Sequence, residues 1–186
     1  MGFLDWIRSL FKSKVARSFI LTINIVGASL SSLKESQAAF QSEEIEIRRL
    51  LKESKERREK EELKEKLAEI DFEKERLHKA AVALDKLYTY LENFEKQYKK
   101  TTVIKVEESD VNEPSPVVSK KWNNAMADWY GEDLAELNDR ARVLGKNAFL
   151  FKQVLGEREF YLLRSRVITL ITNLSAEVGK TPKMKT

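Results

Sequence analysis

Glu75-Arg-Leu-His78 is the first arrangement in this chain that could do chemistry. A carboxylate and an imidazole three residues apart share a helix face. In di-iron bundles two such pairs and two further Glu, all facing inward, hold the metals. This chain has a single His, so it supplies a single copy. In the heptad frame given below, Glu75 falls at b and His78 at e. Both face outward, and the pair predicts a solvated surface rather than a metal centre. A second arrangement is Tyr88, Tyr90, Phe94 and Tyr98, followed by Lys99 and Lys100. Aromatic rings beside cations stack on bases, but the spacing assigns Tyr88 and Tyr98 to an apolar seam. There is no Cys, which excludes disulfides, thiol nucleophiles and Cys-ligated zinc. No phosphate-cradling Gly-rich loop, nucleophile elbow or zincin spacing occurs. The carboxylates alternate with Lys and Arg as they do on solvated helix faces. The expectation is a non-enzymatic chain with no cofactor, no metal and no small-molecule substrate.

The elements that would position any site are helical. The chain has 186 residues, six Gly and three Pro, and neither type occurs from Ala28 to Glu113. An average helix is about 11–12 residues and an average strand about 5–6, so this stretch predicts one or two long helices. Leu63, Ile70, Leu77, Leu84, Leu91 and Tyr98 recur every seven residues, and Leu67, Lys74, Ala81, Tyr88 and Glu95 follow four residues after the first five of these. This is a d/a heptad seam. Its expected interface is Leu63, Leu67, Ile70, Leu77, Ala81, Leu84, Tyr88, Leu91 and Tyr98. Lys74 and Glu95 are polar a residues, suited to fixing register or to pairing across antiparallel helices.

An upstream seam runs through Val26, Leu33, Phe40 and Ile47 at d and Leu30 and Leu51 at a, interrupted by Gln37 and Glu44. The two seams are out of phase, because Ile47 and Leu63 are sixteen residues apart rather than fourteen. Between them Lys52–Glu62 has no apolar side chain. Glu53–Arg57 and Glu56–Lys60 are acid-first i,i+4 pairs, and this stretch is expected to be a charged helical surface or a flexing point. An unbroken helix from Ala28 to Lys100 would be about 110 Å long at 1.5 Å per residue. It could not bury both seams alone, so the chain folds back or another surface covers them.

At the N-terminus Phe3, Trp6, Ile7, Leu10 and Phe11 form one helical stripe, with Arg8, Lys12, Lys14 and Arg17 as its basic complement. Such a helix lies in an anionic membrane interface, each basic residue contributing about 1 kcal/mol near the surface. Residues 1–17 are therefore expected to bind a membrane or a partner. Ser18–Leu30 is apolar but shorter than the roughly 20 residues a span requires and contains Thr22, Asn24 and Ser29. It reads as a buried or interfacial helix, with a signal peptide or membrane insertion of 18–30 as the lesser alternative. The region 18–100 is the long helical, coiled-coil-like unit, with its polar bridge at 52–62.

Residues 101–119 change character. Thr-Thr-Val-Ile-Lys-Val is β-branched, and the acidic stretch after it ends in Pro114 and Pro116; this is the expected linker. Residues 120–179 predict a helical hairpin or three-helix unit. Trp122, Met126 and Trp129 share one stripe, with the two Trp as core or partner anchors. Leu134 to Leu155 continues at helical spacing with Gly145 as an expected kink or point of close packing, and Phe160 to Val178 follows Gly156. Residues 180–186 form a basic tail. Asn173-Leu-Ser lies within a helical pattern and reads as a chance match to a glycosylation acceptor.

The fold class expected is all-α: a long coiled-coil-like helix or helical hairpin, an N-terminal amphipathic helix and a small C-terminal helical unit. Net charge is +4, concentrated at the two ends rather than on one face, which disfavours nucleic acid. The function expected is a scaffold or adaptor, cytoplasmic and peripherally membrane-associated. It would form a homo-oligomer or bind a helical protein partner, so that several weak insertions add up to firm attachment. The alternative is a soluble structural subunit of a larger assembly, such as a secretion or virion component. In element order alone the chain resembles the membrane-remodelling filament families of the phage-shock and ESCRT-III type, with none of their motifs matched.

Overall fold

The computed structural model describes residues 14–109 and 132–178, with side chains at 14–98 and 132–176. The described residues are all-α. Helix α1 is Lys14–Glu53 and α2 is Arg57–Ser109. Helix α3 spans 132–146, α4 is Ala148–Leu155 and α5 is Glu157–Val178. The stripe of residues 1–13 and the pair Trp122 and Trp129 lie outside the described residues.

The two seams meet each other. Helices α1 and α2 form an antiparallel hairpin, and its turn is Ser54-Lys55-Glu56. The polar bridge is therefore a reversal rather than a continuous solvated helix. No apolar side chain there has a surface to seek, so leaving the helix costs no burial. The Ser54 amide still donates to Leu50 O at 2.8 Å, and its hydroxyl donates to the Glu59 carboxylate at 2.7 Å. The expected Glu53–Arg57 pair straddles the turn. Arg49 takes Glu53 instead, at 2.9 Å, and Arg57 and Arg58 pair forward with Glu61 and Glu62, each at 3.2 Å. The reversal also accounts for the phase slip, since two antiparallel helices need no common heptad register through their turn.

The hairpin has two parts. In the base, α3, α4 and α5 pack on the hairpin and share one core with it. Phe19, Val26 and Leu33 of α1, Leu84, Leu91 and Phe94 of α2, and Phe151, Phe160, Val167 and Leu174 of the C-terminal helices are all buried there. Phe19 packs edge-on against Phe94 at 5.1 Å between ring centroids, and lies 5.5 Å from Tyr98. Beyond the base the hairpin continues as a two-helix arm with a small separate core of Ile47, Leu63, Leu67 and Ile70, flanked by Phe40 and Leu51. From about Leu33 to the turn the arm is on the order of 30 Å long at 1.5 Å per residue.

Three local features differ from the sequence expectation. Helix α2 continues through the β-branched run to Ser109, so the first part of the expected 101–119 linker is helical. β-Branched residues cost a helix only a few tenths of a kcal/mol each, and the first true breaker is Pro114. The discontinuity in the 134–155 pattern falls at Asn147 rather than Gly145. Hydrogen bonds from Asn147 N to Val143 O and from Phe151 N to Asn147 O carry the chain through it as a kink. Gly27 sits at a close approach of α1 to α2: a Cβ there would lie 3.0 Å from the Tyr88 ring.

Gly156 separates α4 from α5 with φ 89° and ψ 154°, a region essentially restricted to glycine. A Cβ there would also meet the Glu159 carboxylate at 2.9 Å. Gly156→Ala is expected to destabilise the chain by about 1–3 kcal/mol, read as a lower urea midpoint by circular dichroism. An unchanged midpoint would show that the α4–α5 corner does not hold this backbone.

Candidate functional site

The seam residues named from sequence are brought together, and their partner is the same chain. Leu63, Leu67, Ile70, Leu77, Ala81, Leu84, Leu91 and Tyr98 are buried, and Tyr88 is half-buried beside Gly27. Their cover is α1 along the arm, with the C-terminal helices added in the base. The aromatic run is likewise turned inward: Phe94 and Tyr98 are in the core, and Tyr90 is half-buried.

One polar interruption of each seam finds the other. Lys74 of α2 donates a hydrogen bond to the Glu44 carboxylate of α1. Glu44 also receives Arg48 at 2.7 Å. The hydrogen bond from Lys74 and then that from Arg48 hold the Glu44 carboxyl below its ordinary range. The sequence had paired Lys74 with Glu95. The antiparallel register instead puts Glu44 level with Lys74, while Glu95 lies far along α2 in the base. A polar pair at one layer disfavours slipped alignments of an otherwise uniform seam.

In the base, Ser18 and Thr22 are the buried polar residues of α1. Thr22 donates to Ser18 O at 2.6 Å and reaches Arg166 O at 3.2 Å. Asn173 donates to the Ser18 hydroxyl at 2.5 Å. The Asn-Leu-Ser triplet is thus engaged in helix packing. A second polar cluster ties α3 to α2. The Tyr90 hydroxyl donates to Asp133 O at 2.6 Å, and the Arg140 guanidinium lies over the Tyr90 ring at 4.6 Å. Burial raises the Tyr90 pKa, with the Asp133 charge second. Burial also raises the Asp133 carboxyl, with the Glu136 charge adding to it.

Open grooves lie on the base. One, of about 290 Å³, runs between α2 and α3 and is lined by Val82, Leu87, Val143 and Leu144 with Lys79, Lys86 and Arg140 at its rim. Another, of about 350 Å³, runs between α3 and α5, with Asn138, Ala141 and Arg142 facing Arg164, Ile168 and Ile171. A further one, of about 220 Å³, runs between α1 and the α4–α5 corner, with Ile25, Ala28, Ser29 and Ser32 facing Leu155, Glu159 and Leu162. No family model matches the chain, and no curated protein or solved structure is significantly similar to it. The grooves and exposed residues must therefore be judged on their own chemistry.

Glu75 and His78 are both exposed, and the Glu75 carboxylate is engaged by Lys79 at 2.6 Å. Of the basic N-terminal set, Lys14 and Arg17 fall within the described residues, exposed on the first turn of α1. Sequence periodicity missed Phe72 and Phe149, exposed at 62% and 75%. Neither sits in an apolar stripe, so only the packed structure reveals that nothing in the described chain covers them. Arg76 lies 5.6 Å from the Phe72 ring centroid.

The Glu44–Lys74 pair has a pH signature. Glu44 titrates lower in the folded chain than its ordinary 4.5. Its contribution is therefore present above that value and is lost as pH falls through the lowered folded pKa. Glu44→Gln is expected to lower the melting temperature at pH 7 and to have a smaller effect near pH 3. An equal effect at both pH values would mean that the charge does not matter.

Proposed function

We propose that this chain is a non-enzymatic helical scaffold or adaptor that attaches peripherally to a membrane from the cytoplasmic side through its N-terminal segment. The observation that carries the scaffold reading is the arm: a two-helix hairpin with its own small core, standing clear of the packed base. A projection of this kind extends reach and offers lateral surface. Ile45, exposed at 66%, lies on its flank.

The membrane part rests on residues 1–17. Phe3, Trp6, Ile7, Leu10 and Phe11 supply an apolar stripe, and Arg8, Lys12, Lys14 and Arg17 the charge that attracts anionic headgroups. Helix α1, which follows directly, is long and apolar enough by composition to cross a membrane. Its apolar run packs inside the base through Phe19, Val26 and Leu30, which favours attachment at the surface over insertion. Self-assembly would use exposed faces, because the heptad seam is occupied within the chain. Several chains on one surface would convert weak single attachments into firm binding.

A second reading, a soluble subunit of a larger assembly, is favoured by Phe72 and Phe149, two large exposed aromatics of the kind that anchor protein interfaces. Flotation on vesicles of phosphatidylcholine and phosphatidylglycerol separates the two readings. The full chain is expected to float, and the double variant Trp6→Glu/Phe11→Glu to lose binding by about tenfold or more, since each buried aromatic contributes roughly 1.5–3 kcal/mol. If the unaltered chain stays at the bottom of the gradient, the membrane reading fails and the assembly-subunit reading takes its place.

A further inference from the structure

Helix α2 carries a second stripe, on the side away from α1. Its first half, on the arm, is Glu65, Ala68 and Phe72. Its second half, along the base, is Glu75, Lys79, Val82 and Lys86. Successive members alternate at intervals of three and four, the spacing that keeps one helix face turned to a partner helix over a long contact. They occupy the b and f positions of the frame whose a and d residues meet α1, and all of them are exposed. From Glu65 to Lys86 the stripe is about 32 Å long at 1.5 Å per residue.

The two halves are opposite in character. The arm half is acidic, with the Phe72 ring projecting from it. The base half is cationic and notched: Lys79, Val82 and Lys86 form one wall of the α2–α3 groove, with Arg140 and Val143 on the other. Val82 and Val143 are exposed at 39% and 46%, and the described lining of the groove holds no carboxylate. Glu75 and Lys79 pair within the chain at 2.6 Å, each with most of its side chain in solvent, and such a surface pair holds its partners weakly. The stripe is therefore its own complement. Laid parallel, two copies would set Glu65 against Glu65 and Lys79 against Lys79. Laid antiparallel about a two-fold axis level with Leu77, Phe72 of one copy meets Val82 of the second, Glu75 meets Lys79, and Ala68 meets the stem of Lys86. Glu65 then lies within one turn of Lys86 of the second copy.

We infer that this stripe is a homodimer interface, along which two copies pair antiparallel and each seats Phe72 in the other's α2–α3 groove. Every contact occurs twice, as an isologous interface requires, and the opposed charges of the two halves select the antiparallel alignment. The inference rests on the scaffold reading and names the exposed face that self-assembly uses. Each arm then lies along the base of the other copy. The start of α1 is level with Tyr98, since Phe19 packs beside that ring, so the two N-terminal segments leave from opposite ends of the dimer.

Sedimentation of the full chain is expected to show a reversible dimer. Phe72→Glu changes an exposed position, so its helix content should stay unchanged while the dimer dissociation constant rises by about tenfold or more. The absence of Cys gives an independent reading of the alignment. Ala68→Cys and Lys86→Cys chains, mixed and oxidised, are expected to cross-link with each other at least about five times faster than either does with itself, because a disulfide requires Cα atoms within about 7 Å. In the antiparallel pair, like positions at 68 or at 86 would lie about 27 Å apart along the helices. A dimer that Phe72→Glu leaves intact, or mixed cross-linking no faster than self-linking, overturns this interface and keeps self-assembly by another face. A chain that stays monomeric at every concentration reached overturns both the interface and the self-assembling form of the scaffold, and membrane attachment is then decided by flotation alone.

Discussion

The structure depends on one constraint: the apolar stripe of α2 cannot be left in water. From Leu63 to Tyr98 large apolar side chains recur along one face, interrupted at Lys74 and Glu95, and each of the apolar ones contributes about 1.5–3 kcal/mol when fully buried. The chain meets this demand internally. Helix α1 returns along α2 after the charged turn at 54–56, and α4 and α5 pack on the lower part of the pair. Everything else follows from where that cover is thick and where it is thin. Where all the helices meet, a shared core forms with stacked and edge-on aromatics. Where only two helices meet, the core shrinks to a single line and the arm projects.

Much of this was legible in the sequence, and the reasons are physical. A seven-residue repeat over Leu63–Tyr98 specifies a helix and one buried face whatever covers that face. The all-α class was therefore readable. The helical spacing of Phe160, Leu163, Val167, Leu170, Ile171, Leu174 and Val178 was readable in the same way; five of these are buried in α5, Ile171 is half-buried, and the side chain of Val178 lies outside the described residues. The identity of the cover was not readable, because heptads look the same whether the partner is another chain or the same chain reversed. The turn was hidden for a related reason. Ser54-Lys55-Glu56 contains neither Gly nor Pro, and its neighbours are good helix formers, so only the demand for burial on either side breaks the helix there. Lys74 was recognisable as an anomaly in its seam, but its partner Glu44 required the register.

The polar contacts divide the labour between base and arm. Ser18 and Thr22 sit inside the α1–α5 contact, where Asn173 donates to the Ser18 hydroxyl and Thr22 reaches Arg166 O across it. This lets an apolar run of α1 pack closely without leaving hydroxyl groups unpaired. Tyr90, Arg140 and the Asp133 backbone bind the start of α3 to α2. In the arm, Glu44 and Lys74 set alignment with little burial to help. The base thus holds the first turns of α1 through Val15, Ala16 and Phe19 in the shared core, and the arm extends from it with a small core of its own. The scaffold we propose would draw on both, with the N-terminal segment joined to the base and the arm reaching away from it.

The central claim is that α1 covers the α2 seam within one chain. The most direct measurement is the distance between spin labels at Ile45→Cys and Phe72→Cys, two exposed arm positions at 66% and 62%, in labelled chain diluted with unlabelled chain. In the closed hairpin, with helix axes about 8–10 Å apart, the account predicts a distance below about 25 Å that dilution does not change. A distance near 40 Å, as for a continuous helix of 27 residues at 1.5 Å per residue, or a short distance that disappears on dilution, would contradict it.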